Sequence, residues 1–192
     1  MATNYKPLNY RIVRHVTAKR ILTVEDNLEM GKIKVGLVDY HRGQGITAQV
    51  THWLDVDKAR LLFHDLVDNA VAFKNMWDGW TDYKGSAVEG DLESRIFTVQ
   101  IVEAKNPVKI TASKGPGEKV GQGAVKPVKG TDRTEVAVLL SWQDARAIAL
   151  AVDSHLQAWA AATYYKRLAE ATWQPEDGRR TAQVDLDTGE VL

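Results

Sequence analysis

Val50-Thr51-His52-Trp53-Leu54-Asp55-Val56-Asp57-Lys58-Ala59-Arg60-Leu61-Leu62 aligns with Val136-Ala137-Val138-Leu139-Leu140-Ser141-Trp142-Gln143-Asp144-Ala145-Arg146-Ala147-Ile148, at an offset of 86. Each copy opens as a strand and continues as an amphipathic helix. At the junction stands Asp55 or Ser141, whose short side-chain oxygen suits an N-cap because it can accept from the free N–H groups of a first helical turn. Ser141 with Asp144 resembles a capping box, Asp replacing the usual Glu. Ala-Arg falls at the same helical position in both copies.

A second match lies upstream. Lys34-Val35-Gly36-Leu37-Val38-Asp39-Tyr40 aligns with Thr98-Val99-Gln100-Ile101-Val102-Glu103-Ala104, at an offset of 64. Both show period two, through Ile33, Val35, Leu37 and through Phe97, Val99, Ile101, the mark of a half-buried strand. The second copy then has the longer connection, the Gly/Pro/Lys-rich stretch Asn106–Gly130. Copy one reads as strands near Tyr10–Val16, at Lys32–Tyr40 and at Ile46–Trp53, with a hairpin at Arg42-Gly43-Gln44-Gly45 and a helix from Val56 to about Phe73. Copy two reads as strands at Arg95–Glu103, near Val108–Ala112, at Gly123–Val128 and at Glu135–Leu140, then a helix from Trp142 to about Ala171. In that helix Ile148, Val152, His155, Leu156 and Trp159 form a core-facing stripe.

Strands followed by a helix, twice, predict an α+β fold in which the helices cover one face of each sheet. The organisation expected is a single domain over residues 1–173, made of two repeats (about 9–73 and 95–171). An aromatic connector, Trp77-Asp78-Gly79-Trp80-Thr81-Asp82-Tyr83-Lys84-Gly85, joins them. Residues 174–192, with Glu176, Asp177, Asp185, Asp187 and Glu190, read as an acidic tail, extended or mobile.

The formal charge is zero, with 25 basic and 25 acidic side chains. This excludes a uniformly basic nucleic-acid binder. Residues 1–24 nevertheless hold five basic residues and no acidic one, and residues 105–133 carry a net +5. The outward positions of copy one, Lys32, Lys34 and Tyr40 on one strand and Thr47, Gln49 and Thr51 on the next, form a polar, partly basic face short of acidic groups. Single-stranded nucleic acid needs such a surface, with cations for phosphates and flat groups for bases. An ordinary solvated sheet face satisfies the same pattern.

The duplicated strands-then-helix unit, carried by Lys34–Tyr40, Ile46–Trp53, Asp55–Leu66, Thr98–Ala104 and Val136–Val152, resembles the Whirly family of single-stranded DNA-binding proteins and the related single-unit transcriptional coactivators. The resemblance is architectural and covers about residues 9–171. It implies pseudo-twofold symmetry, a homo-oligomer formed through the helices, and single strands bound along sheet edges and faces. It also implies that the long basic hairpin acts as a clamping arm.

Chemistry of other kinds finds little support. Cysteine is absent, which removes disulfides, thiol nucleophiles and zinc fingers and fits a cytoplasmic protein, although exported proteins also lack it. The first twenty residues lack the apolar segment of a secretory signal, and no run is long enough to span a membrane. His15, His41, His52, His64 and His155 lack metal-ligand spacing, so each reads as a core or surface histidine. Gly115–Gly123 is glycine-rich, but Val120 follows Lys119 where a phosphate loop needs Ser or Thr. No Gly-x-Ser-x-Gly elbow occurs. No catalytic residue, metal site or cofactor is therefore expected.

The sequence expectation is a non-enzymatic binder of single-stranded DNA or RNA, more readily DNA. Phosphates would meet Arg11, Arg14, Lys32, Lys34, Arg42, Lys109, Lys114, Lys119 and Lys126, and bases would stack on Tyr40. Trp77, Trp80 and Tyr83 either stack bases or pin the connector. The alternative is a protein–protein interaction or oligomeric scaffold protein without nucleic acid.

Overall fold

The computed structural model describes residues 10–68, 79–88, 91–121 and 124–172. The chain is α+β. Strands β1 (Arg11–Val16), β2 (Arg20–Asn27), β3 (Lys32–His41) and β4 (Gly45–Asp55) form an antiparallel meander in that spatial order, followed by α1 (Val56–Asp68). Strands β5 (Trp80–Val88), β6 (Asp91–Ile101) and β7 (Val108–Val120) begin a second meander, completed by β9 (Thr134–Leu140) against β7. A short β8 (Ala124–Pro127) pairs only with the far end of β7. Helix α2 (Trp142–Thr172) follows β9.

Period-two alternation builds both sheets. Leu22 pairs with Leu37, and Leu37 with Val50; Phe97 pairs with Ala112, and Ala112 with Val136. All six are buried. Each such side chain is worth about 1.5–3 kcal/mol when large and fully removed from water. Ala59, Leu62, Phe63 and Leu66 of α1 and Ala145, Ile148, Ala149, Val152 and Leu156 of α2 add helical stripes to the same interior. At the β3–β4 turn Gly43 and Gly45 take φ of 89° and 79°, a region open to glycine without steric cost.

Several expectations change. Two strands are additional. β2, outside the expected strands, alternates through buried Leu22 and Val24. β5 occupies most of the stretch expected to be an aromatic connector. Lys34–Tyr40 lies on the third strand of its meander, whereas Thr98–Ile101 lies on the second of the other, so that match pairs strands of different rank. β2 and β6 are each the second strand of their meander, Leu22 pairing with Leu37 and Phe97 with Ala112. Asp55 ends β4, and its oxygens receive Lys32 and Lys84. The Ser141 cap forms as expected: the Asp144 N–H donates to Ser141 Oγ at 3.0 Å, and that hydroxyl donates to Asp144 Oδ2 at 2.6 Å. The acidic tail 174–192, Trp77, and the continuation of the first helix from 69 to Phe73 lie outside the described residues.

The chain divides into two compact units, one ending at Leu156 and one beginning at Gln157. Within the second, Arg167 stacks its guanidinium 4.9 Å from the Trp159 ring centre, while Tyr164, Tyr165 and Leu168 are exposed. No helix among the described residues is long and apolar enough to cross a membrane.

Candidate functional site

Between β4, the first half of β6 and the middle of β7, an open groove of about 370 Å³ is lined by Gln49, Thr51, Trp53, Glu93, Arg95 and Lys114. Strand geometry explains the set. On β4, His52 and Leu54 point into the core, so Gln49, Thr51 and Trp53 leave from the other side. Glu93 and Arg95 share one side of β6, and Lys114 pairs with Arg95 across to β7. The Arg95 guanidinium lies 4.9 Å from the Trp53 ring centre, and its Nη2 is 2.5 Å from Glu93 Oε1. One groove thus holds an aromatic ring, a guanidinium plane, an ammonium group and two hydrogen-bonding side chains.

Of the expected site residues, Lys114 alone lines this groove. Lys32 is tied to Asp55, and Lys34 donates to Glu25 at 2.9 Å. The outer face of the first sheet carries two acidic groups that each hold a cation, Glu25 and Asp55, whereas Asp39 pairs with Arg20 on the side shared with buried Leu37. Cross-strand neighbours supply both carboxylates, Glu25 from β2 and Asp55 from β4. The Tyr40 hydroxyl donates to the Thr17 carbonyl at 2.8 Å, which fixes the ring against its own sheet. Arg11 and Arg14 are exposed on the edge strand β1, and Arg42 is exposed in the β3–β4 turn. Lys109 is half-buried on β7, and Lys119 is exposed near its end. Lys126 pairs with Glu118 at 3.1 Å. Trp80 meets Phe97 edge-on with ring centres 6.1 Å apart, a packing role, whereas Tyr83 is exposed.

The basic hairpin is held down. Val125 of β8 sits so close to Gly85 and Gly117 that a Cβ on either glycine would overlap it. Arg133, just before β9, donates to Ser94 Oγ at 2.8 Å and to the Ser94 carbonyl at 2.9 Å. The β7–β8 arm thus lies over part of the outer face of the second sheet.

Behind the groove is a buried charge cluster. His52 Nε2 is 2.8 Å from Asp82 Oδ2, and the imidazole stacks on Phe97 with ring centres 5.5 Å apart. Burial lowers the His52 pKa and outweighs the opposing pull of Asp82, so the ring is neutral at pH 7. Nε2 must then carry the proton it gives to the carboxylate. Nδ1 is buried without a partner. Burial alone would raise the Asp82 pKa, but hydrogen bonds from His52 and Lys58, with Lys84 nearby, together hold it low. The pair has the contacts of a general-base dyad, but His52 is wholly sealed from solvent and links β4 to β5. No cluster of metal-ligating side chains occurs among the described residues.

Trp53, Arg95, Glu93 and Gln49 were absent from the expected phosphate and base contacts. The available signal was alternation on β4, which sets Gln49, Thr51 and Trp53 on one side. That β6 comes to lie beside them is a tertiary fact. Comparison with protein-family models finds no match, and comparison with curated proteins finds none either.

Proposed function

We propose that this protein binds single-stranded nucleic acid, with DNA the first candidate, in the groove lined by Trp53, Arg95 and Lys114. The observation that carries the reading is the Arg95 guanidinium over the Trp53 ring beside an ammonium group, in a groove open to solvent. Unpaired bases stack on aromatic rings and on arginine planes. Lys114 and Arg95 supply the cations a phosphate backbone needs, and Gln49 and Thr51 can donate to and accept from base edges. Duplex DNA hides its base faces and is expected to bind more weakly.

The finer architecture belongs to the same proposal. Two meanders with matching rungs, each followed by a helix, support a duplicated, Whirly-like unit. Exposed Tyr164, Tyr165 and Leu168 support association of copies through the helices, to be tested by sedimentation.

The deciding experiment is fluorescence anisotropy with a labelled single strand, the matching duplex and an RNA, each at two salt concentrations. The expected result is single-strand binding that weakens steeply with salt, because counterion release drives phosphate contacts. No binding at low salt would reject the proposal. Binding that salt leaves untouched would point to the protein-partner alternative.

A further inference from the structure

Among the described side chains lining the groove, Glu93 is the one carboxylate. It stands two residues from Arg95 on β6, so both leave the strand on the same side. Its Oε1 contacts Arg95 Nη2 at 2.5 Å, and the two side chains are only 23% and 17% exposed. The contact is an ion pair without a hydrogen bond to that oxygen, and a phosphate competes for a guanidinium through the same opposite charge. The same guanidinium rests over Trp53. Lys114, by contrast, has no ion pair with a described residue.

We propose that Glu93 is a built-in stand-in for a nucleic-acid phosphate, which occupies Arg95 in the free protein and is displaced by the ligand. This rests on the nucleic-acid reading and adds the regulation of that site. Two consequences follow from exchanging one anion for another. Glu93 keeps Arg95 seated on Trp53 before any strand arrives, so the stacking surface is ready-made. It also lowers the net gain of the Arg95–phosphate contact, because the contact replaces an ion pair instead of creating one. Binding is thereby weaker, and its salt dependence shallower, than the cations of the groove alone would give.

The test compares the full chain with its Glu93→Gln and Arg95→Ala variants, using labelled oligodeoxythymidylate over a salt series. Glu93→Gln keeps the shape and removes the charge. It is expected to tighten binding about threefold to fivefold, the range of a partly exposed ion pair. It should also steepen the salt slope by up to about 0.7, one single-strand phosphate contact. Arg95→Ala should weaken binding and remove the effect of the Glu93 substitution in the double variant. If the natural chain binds and Glu93→Gln binds equally or more weakly, the inference falls and the nucleic-acid reading stands. If no variant binds at any salt, both fall. A thermal melt of each variant separates loss of folding from loss of affinity.

Discussion

His52 of β4 and Asp82 of β5 join the two sheets through a 2.8 Å contact from which solvent is excluded at both side chains. The link is part of a longer chain of charge. Lys58 of α1 donates to the other Asp82 oxygen at 2.5 Å, and Lys84 reaches Asp55, which also holds Lys32. One cluster thus ties β3, β4, α1 and β5. A buried carboxylate is tolerated only when hydrogen bonds and opposite charge replace its water, and here His52 and Lys58 each take one oxygen.

Replacing Asp82 by Ala should cost about 1–3 kcal/mol, the penalty for leaving the buried His52 N–H without its acceptor. Asp82→Asn should cost less, because its carbonyl still accepts from His52 and exposed Lys58 can turn to water. Urea unfolding checks the order. A loss below about 1 kcal/mol in the Ala variant would show that the cluster does not hold the sheets together.

Acid should weaken the fold in two stages. The His52 pKa is lowered from its ordinary 6.5, so the unfolded chain takes up a proton below that pH before the native one does. Stability is therefore full above about pH 6.5 and falls below it, by at most about 1.4 kcal/mol per pH unit. The second stage belongs to Asp55, whose hydrogen bonds from Lys32 and Lys84 lower its pKa from 3.8 to about 2. Its contribution is present above pH 3.8 and disappears as pH falls towards 2. Melting curves of the natural chain and His52→Gln between pH 7.5 and 5.5 check the first stage; the variant should show the smaller drop.

Trp53 and Lys114 should fail differently in nucleic-acid binding. Trp53→Ala removes a stacking surface worth about 1–3 kcal/mol per base and should leave the salt slope nearly unchanged. Lys114→Ala removes a phosphate contact and should flatten the slope by about 0.7. Titrations at several salt concentrations distinguish them, and an unchanged affinity in both variants would move the binding site elsewhere.

The β7–β8 arm should be released by one methyl group. Gly85→Ala places a Cβ into Val125, and faster protease cleavage between residues 117 and 127 is expected. In a Val125→Gly background the same substitution should add little, since residues in contact are not additive. Equal cleavage of Gly85→Ala and the natural chain would mean that the arm is held by other contacts, such as those of Arg133.

How much was legible in the chain follows from where each signal resides. Alternation at β3, β4, β6 and β9, the Ser141–Asp144 cap and the stripe of α2 are local patterns, since a strand or helix repeats its geometry within a few residues. β5 escaped because its inward positions include Asp82 and Lys84, so apolar period two is missing where the strand is satisfied by charge. Lys32 and Lys34 were legible as outward lysines, but their partners Asp55 and Glu25 are set by register. The sequence by itself therefore determined strand and helix periodicity, the match of β4–α1 with β9–α2, and a neutral chain with two basic stretches. Only the tertiary structure decided which cations are already paired, that the basic arm is pinned, and that Trp53 meets Arg95. Those outcomes depend on side chains far apart in the chain, whose meeting is fixed by sheet register and sheet packing and leaves no periodic trace in either segment.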